Sequence, residues 1–74
     1  MGNQDWKDRV VCDPKVRHGE PTIRGTRIAV STIVASLADF TAQELLVQYP
    51  QLSAEDIKAA LHFAAAASHS TLVA

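Results

Sequence analysis

The sequence predicts a mostly α domain, with a short N-terminal strand and β-hairpin leading into a three-helix, helix-turn-helix-like bundle. Three observations point there. Short β-branched runs lie before residue 30, at Val10-Val11 and around Ile23, and are punctuated by Asp13-Pro14 and Gly25. From Val30 the apolar spacing becomes helical, through Ile33, Val34 and Leu37. Two further helix starts follow: the capping box Thr41-Ala42-Gln43-Glu44, and the capped acidic start Ser53-Ala54-Glu55-Asp56.

Residues 1–8 are polar apart from Trp6 and are expected as a loose arm anchored by that indole. Residues 9–70 form one small domain, with residues 9–30 as its β region and residues 31–70 as three helices. Arg9-Val10-Val11-Cys12 is a strand that ends at Asp13-Pro14, with Cys12 expected as a small buried hydrophobe. Residues 15–21 are a loop. A hairpin follows, in which Gly25-Thr26 is a two-residue type II′ loop with glycine at the first central position. Helix one starts with Ser31 as its cap and ends near Asp39-Phe40. Helix two buries Leu45, Leu46 and Tyr49, and Pro50 stops it. Helix three presents Ile57, Ala60, Leu61, Ala64 and Ala65 inward, and residues 71–74 are a frayed tail on which Leu72 and Val73 are available to a partner.

Seventy-four residues bury only about 60% of their unfolded surface, so the core is thin. One cysteine allows no internal disulfide and suits a reducing compartment. Oligomerisation is then the expected extra source of stability, and a homodimer the expected state. No run of apolar residues is long enough to span a membrane, and the first residues lack the basic-then-apolar order of a signal peptide. The expected location is the cytoplasm. Cys12, His18, His62 and His69 show no metal-ligand spacing, and no nucleophile, base and acid set has motif context. The reading is therefore a binding protein without catalytic residues, metal or cofactor.

Charge is unevenly placed. Residues 1–30 carry six basic and four acidic side chains, and residues 31–74 carry one and four. Anion recognition therefore belongs to the N-terminal part. Within it, the hairpin register sets Ile23 opposite Ile28 and Arg24 opposite Arg27. Two like charges facing each other are unfavourable unless something negative joins them. Arginine's planar fork suits DNA phosphate and protein carboxylates alike. The plainer alternative is a solvated tip, or internal pairing with Asp13 or Glu20. The start of helix three, with Glu55 and Asp56, suits a DNA groove poorly, and only Lys58 and His62 are placed to help there. Arg24, Gly25, Thr26, Arg27, Arg9 and Lys58 are thus the candidate DNA or protein contacts, with Gly25 needed mainly for its backbone. Val47 and Phe63 lie off the inner faces of their helices, and Trp6 is an anchor under the hairpin or across a dimer. These three are the candidate dimer or partner interface, with a wider core as the alternative for Val47 and Phe63.

Several pieces of the chain together resemble domain-of-unknown-function family 433: Trp6, Arg9-Val10-Val11 and Asp13-Pro14; Gly19-Glu20-Pro21-Thr22-Ile23-Arg24-Gly25-Thr26-Arg27-Ile28-Ala29-Val30; Glu44-Leu45-Leu46, Tyr49-Pro50 and Leu52-Ser53; Glu55-Asp56-Ile57 and Ala60-Leu61. The resemblance runs over residues 6 to 66, and Ile23–Ile28 is its most specific part. It departs at Asp39-Phe40, where the family usually has glycine, and at Ala29, where it favours proline. The resemblance implies an antitoxin-like protein of type II toxin–antitoxin modules that silences a PIN-type ribonuclease toxin and, as a dimer, binds operator DNA. The alternatives carried beside it are a stand-alone transcriptional regulator and a structural dimerisation module.

Overall fold

The computed structural model describes residues 6–72, and side chains from 6 to 68. The expectations for residues 1–5, His69, Val73 and Ala74 lie outside the described residues. The elements run α1 (Trp6–Arg9), β1 (Val10–Val11), β2 (Thr22–Ile23), α2 (Val30–Ser36), α3 (Ala42–Gln48) and α4 (Ala54–Leu72). It is a mostly helical small domain in which a two-stranded antiparallel hairpin precedes the main helices.

β1 pairs with β2 in the register Val10 to Ile23 and Val11 to Thr22. On the other side of β2, Thr22 bridges to Ala29, and the Ile23 N–H donates to the Ile28 carbonyl at 3.0 Å. The expected facing of Ile23 and Ile28 is therefore present, and both side chains are buried. The turn between them differs from the expectation. The Thr26 N–H donates to the Ile23 carbonyl at 2.9 Å, so Arg24 and Gly25 are the central pair, and Gly25 takes φ +82° as the second of them. That is the place type II turns reserve for glycine. The Thr26 hydroxyl decides the matter: it donates to the Ile23 carbonyl (2.8 Å) and accepts from the Ile28 N–H (3.0 Å), closing the loop from inside. A Cβ on Gly25 would meet nothing within 4 Å, so Gly25→Ala is expected to cost about 1 kcal/mol, through backbone strain alone. Urea unfolding checks it.

The loop from β1 to β2 holds Arg17, His18 and Gly19 at φ 49°, 59° and 84°. Two non-glycine residues in the left-handed region are costly. Bonds from the Gly19 N–H to Val16 and from the Glu20 N–H to Arg17 hold them there. Cys12 lies beyond the end of β1 and is exposed, not buried, because the strand is only two residues long.

α2 leaves the ribbon directly. Its cap is Ala29 without a side-chain bond, not Ser31, because the Ala29 carbonyl already accepts from Thr32 and Ile33. Ser31 instead sits in the first turn, where its hydroxyl donates to Glu20 at 3.0 Å. The chain winds on through a hydrogen-bonded turn to Phe40. At α3 the Thr41–Glu44 capping box is fully formed. Tyr49 closes that helix before Pro50.

Leu52 is buried in the link to α4, and Ser53 caps α4 by accepting from the Asp56 N–H. The core joins Ile23 and Ile28 of the ribbon to Val30 and Ile33, Leu45, Leu52, Ile57 and Ala60. Along α4 the buried positions are Asp56, Ile57, Ala59 and Ala60. Leu61 is 45% exposed and Ala65 is exposed, so the inner face is rotated from the expected one. An alanine-rich helix offers no strong apolar stripe, and the docking of α1 and α2 sets its rotation. α1 itself is a single turn formed by residues 6–8, expected in the arm, together with Arg9, expected as the start of the strand. It lies on α4, with the Trp6 ring stacked on His62 (6.3 Å between centroids) and edge-on to Phe63 (6.2 Å).

Candidate functional site

The hairpin turn presents its two arginines differently. The Arg24 N–H donates to the Arg9 carbonyl at 2.7 Å, extending the ladder to α1. Its Nε donates to the Asp8 carbonyl at 2.6 Å. That bond fixes the side chain without neutralising it, because a carbonyl carries no net charge. Arg27 is exposed and makes no side-chain hydrogen bond or ion pair among the described residues. Neither arginine pairs with Asp13 or Glu20. The Asp13 carboxylate accepts from the Lys15 N–H at 2.9 Å. Glu20 accepts from Arg17 Nε (3.1 Å) and from the Ser31 hydroxyl (3.0 Å). The Ser31 bond first, and Arg17 after it, hold the Glu20 carboxyl below its ordinary value of 4.5.

Beside the turn lies an open hollow of about 510 Å³, lined by residues 25–27 with Val11, Asp13, Val16, Thr22 and Gln51. Arg27 gives the hollow its cationic wall. Thr26 also lines it, but both hydrogen bonds of its hydroxyl are spent on the turn. A carboxylate or phosphate entering here meets one unpaired guanidinium, with a second held nearby in sequence by the backbone of α1.

The other candidates are placed elsewhere. Arg9 pairs with Asp56 at 3.0 Å, so it serves the fold. Lys58 is exposed on α4. Trp6 and Phe63 touch each other on the α1–α4 face, whereas Val47 is 79% exposed on α3. Reasoning from the sequence missed the working partners of Asp56 and Glu20. For Asp56 the signal was present: Ser53-x-x-Asp56 is a capping box, with the Ser53 N–H donating to Oδ2 at 3.0 Å. The Glu20–Ser31 bond spans eleven residues and left no local trace.

Among the described residues, no cluster of three or more His, Cys, Asp or Glu is placed to hold a metal ion. No helix there is long and apolar enough to cross a membrane.

Comparison with known proteins fits this architecture. The chain is similar to the crystal structure of a DUF433 member protein from Anabaena variabilis ATCC 29413, with 40% identity and a TM-score of 0.71. The match covers 84% of this chain and 62% of that one, so the chain spans less than two thirds of that protein's length. No curated protein matches. A family described as protein of unknown function (DUF433) matches residues 10–64, which include the hairpin turn and most of the helical core. The chain belongs to the DUF433 family.

Proposed function

We propose that this chain is an antitoxin-like binding protein that captures a PIN-type ribonuclease toxin and blocks it by occlusion, acting as a cytoplasmic homodimer. One observation carries the reading. Arg9 and Arg17 each have a carboxylate partner, while Arg24 and Arg27, on the Gly25 turn, have none among the described residues. A metal-dependent nuclease keeps acidic side chains at its centre. A guanidinium placed among them competes with the metal or with substrate phosphate. The second role in this reading, operator binding, falls to the basic N-terminal half. The first turn of α4 offers Glu55 to a phosphate backbone, and its Asp56 is already tied to Arg9.

Co-expression with the nuclease encoded by a neighbouring gene tests the proposal. The wild-type chain is expected to restore growth. Arg24→Ala with Arg27→Ala is expected to lose that protection while keeping the wild-type helical circular dichroism. Full protection by the double variant overturns the proposal.

A further inference from the structure

We propose that α1 is a brace for the arginine turn: docked on α4 through Trp6 and Arg9, it sets with its last two carbonyls the pose in which Arg24 meets a partner. The proposal rests on the reading above, that Arg24 is a partner contact, and adds Trp6 as a positioning residue for it. α1 is one turn of four residues, none of them buried, and a turn this short does not hold itself. Trp6 and Arg9 are three residues apart, so they project to the same side of it. Both reach α4. The Trp6 ring stacks on His62 at 6.3 Å and meets Phe63 edge-on at 6.2 Å, and Arg9 pairs with Asp56 at 3.0 Å.

The C-terminal end of α1 leaves its last carbonyls without helical partners. One residue takes two of them. The Asp8 carbonyl accepts from Arg24 Nε at 2.6 Å, and the Arg9 carbonyl accepts from the Arg24 N–H at 2.7 Å. Main chain and side chain of Arg24 are thus fixed to the same turn. The main-chain bond extends the ribbon and needs no arginine. The Nε bond needs a side-chain donor, and it goes to the Asp8 carbonyl and not to a carboxylate. The charge of Arg24 therefore stays unpaired among the described residues. One of its donors is spent, and the two Nη groups keep the fork that carboxylates and phosphates bind. A guanidinium held before binding loses less freedom on binding than a loose one. Arg27 is the loose comparison on the same turn, exposed and without a side-chain hydrogen bond among the described residues.

Two measurements on the full chain test the proposal. By NMR, hydrogen exchange at the Arg24 Nε–H is expected to be at least about fivefold slower than at the Arg27 Nε–H. Trp6→Ala is expected to bring the two rates together while the main helical circular dichroism is retained, since Trp6 is half-buried and lies outside the core. Trp6→Phe, which keeps a ring against His62 and Phe63, is expected to preserve most of the difference. In calorimetric titration of the nuclease encoded by the neighbouring gene, Trp6→Ala is expected to weaken binding about two- to tenfold. That loss is expected to persist beside Arg27→Ala and to vanish beside Arg24→Ala, which a general weakening of the fold would not produce. Equal exchange at the two arginines of the wild type overturns the brace. So does an Arg24 rate unmoved by Trp6→Ala, or a Trp6→Ala loss of binding that persists beside Arg24→Ala. A nuclease that binds wild type, Arg24→Ala and Arg27→Ala alike, while the exchange difference still depends on Trp6, overturns the nuclease reading and supports the brace, so the two fail separately.

Discussion

Replacing Ile33 with alanine is expected to lower the unfolding free energy by about 3–4 kcal/mol. The side chain is 0% exposed, and it joins the ribbon residues Ile23 and Ile28 to Leu45 and Ile57. Removing three carbons loses their transfer energy and leaves a void that neighbours on four elements cannot all close. A domain of this size has about 4–11 kcal/mol in total, so the loss is a large share of it. Ile33→Val, which removes a single methyl group, is expected to cost about 0.5–1.5 kcal/mol. Urea unfolding at one fixed protein concentration reads both values, since dimerisation makes apparent stability depend on concentration. A cost below about 1 kcal/mol for Ile33→Ala contradicts the central position of this residue.

Asp56→Ala comes next, at about 2–3 kcal/mol. This carboxylate does two jobs at once. Oδ2 accepts from the Ser53 N–H and closes the cap of α4, while Oδ1 accepts from Arg9 at 3.0 Å and ties α1 to the same helix. Its side chain is 12% exposed and that of Arg9 is 41% exposed. The two partners are therefore unequal. Arg9→Ala releases a half-hydrated cation and is expected to cost less, about 1 kcal/mol. A double-mutant cycle across Arg9 and Asp56 isolates the ion pair from the cap. Near-equal costs for the two single variants contradict this division.

Local chemistry was readable in this chain wherever a few adjacent residues settle the outcome. Thr41 with Glu44, Pro50 after Tyr49 and Ser53 before α4 all act within four residues, and each is found as expected. The Ile23–Ile28 register was legible for the same reason. The turn was not, because glycine in this register fits either central position. A threonine hydroxyl bonding two backbone groups chose between them. Ser31 resembles a cap in sequence, but the pairing of Ala29 with Thr22 puts the cap of α2 two residues earlier. Leu61 faces out because the fit of Trp6 against His62 and Phe63 helps set the rotation of α4, and no period in an alanine run reveals that. At the candidate site, the spacing set Arg24 opposite Arg27 across the loop, whereas in the structure Arg24 is itself a central residue of the turn and Arg27 lines the hollow beside it. The hold on Arg24 was not legible, since the Asp8 carbonyl that makes it lies sixteen residues away.

The arginine turn is tested most directly by calorimetric titration of the purified nuclease partner with this chain, comparing the wild type, Arg27→Lys and Arg24→Ala with Arg27→Ala. The double alanine variant is expected to bind at least about a hundredfold more weakly, and Arg27→Lys to fall between it and the wild type, because lysine keeps the charge and loses the fork. Equal dissociation constants for all three proteins would contradict a role for these guanidinium groups in capturing an acidic partner.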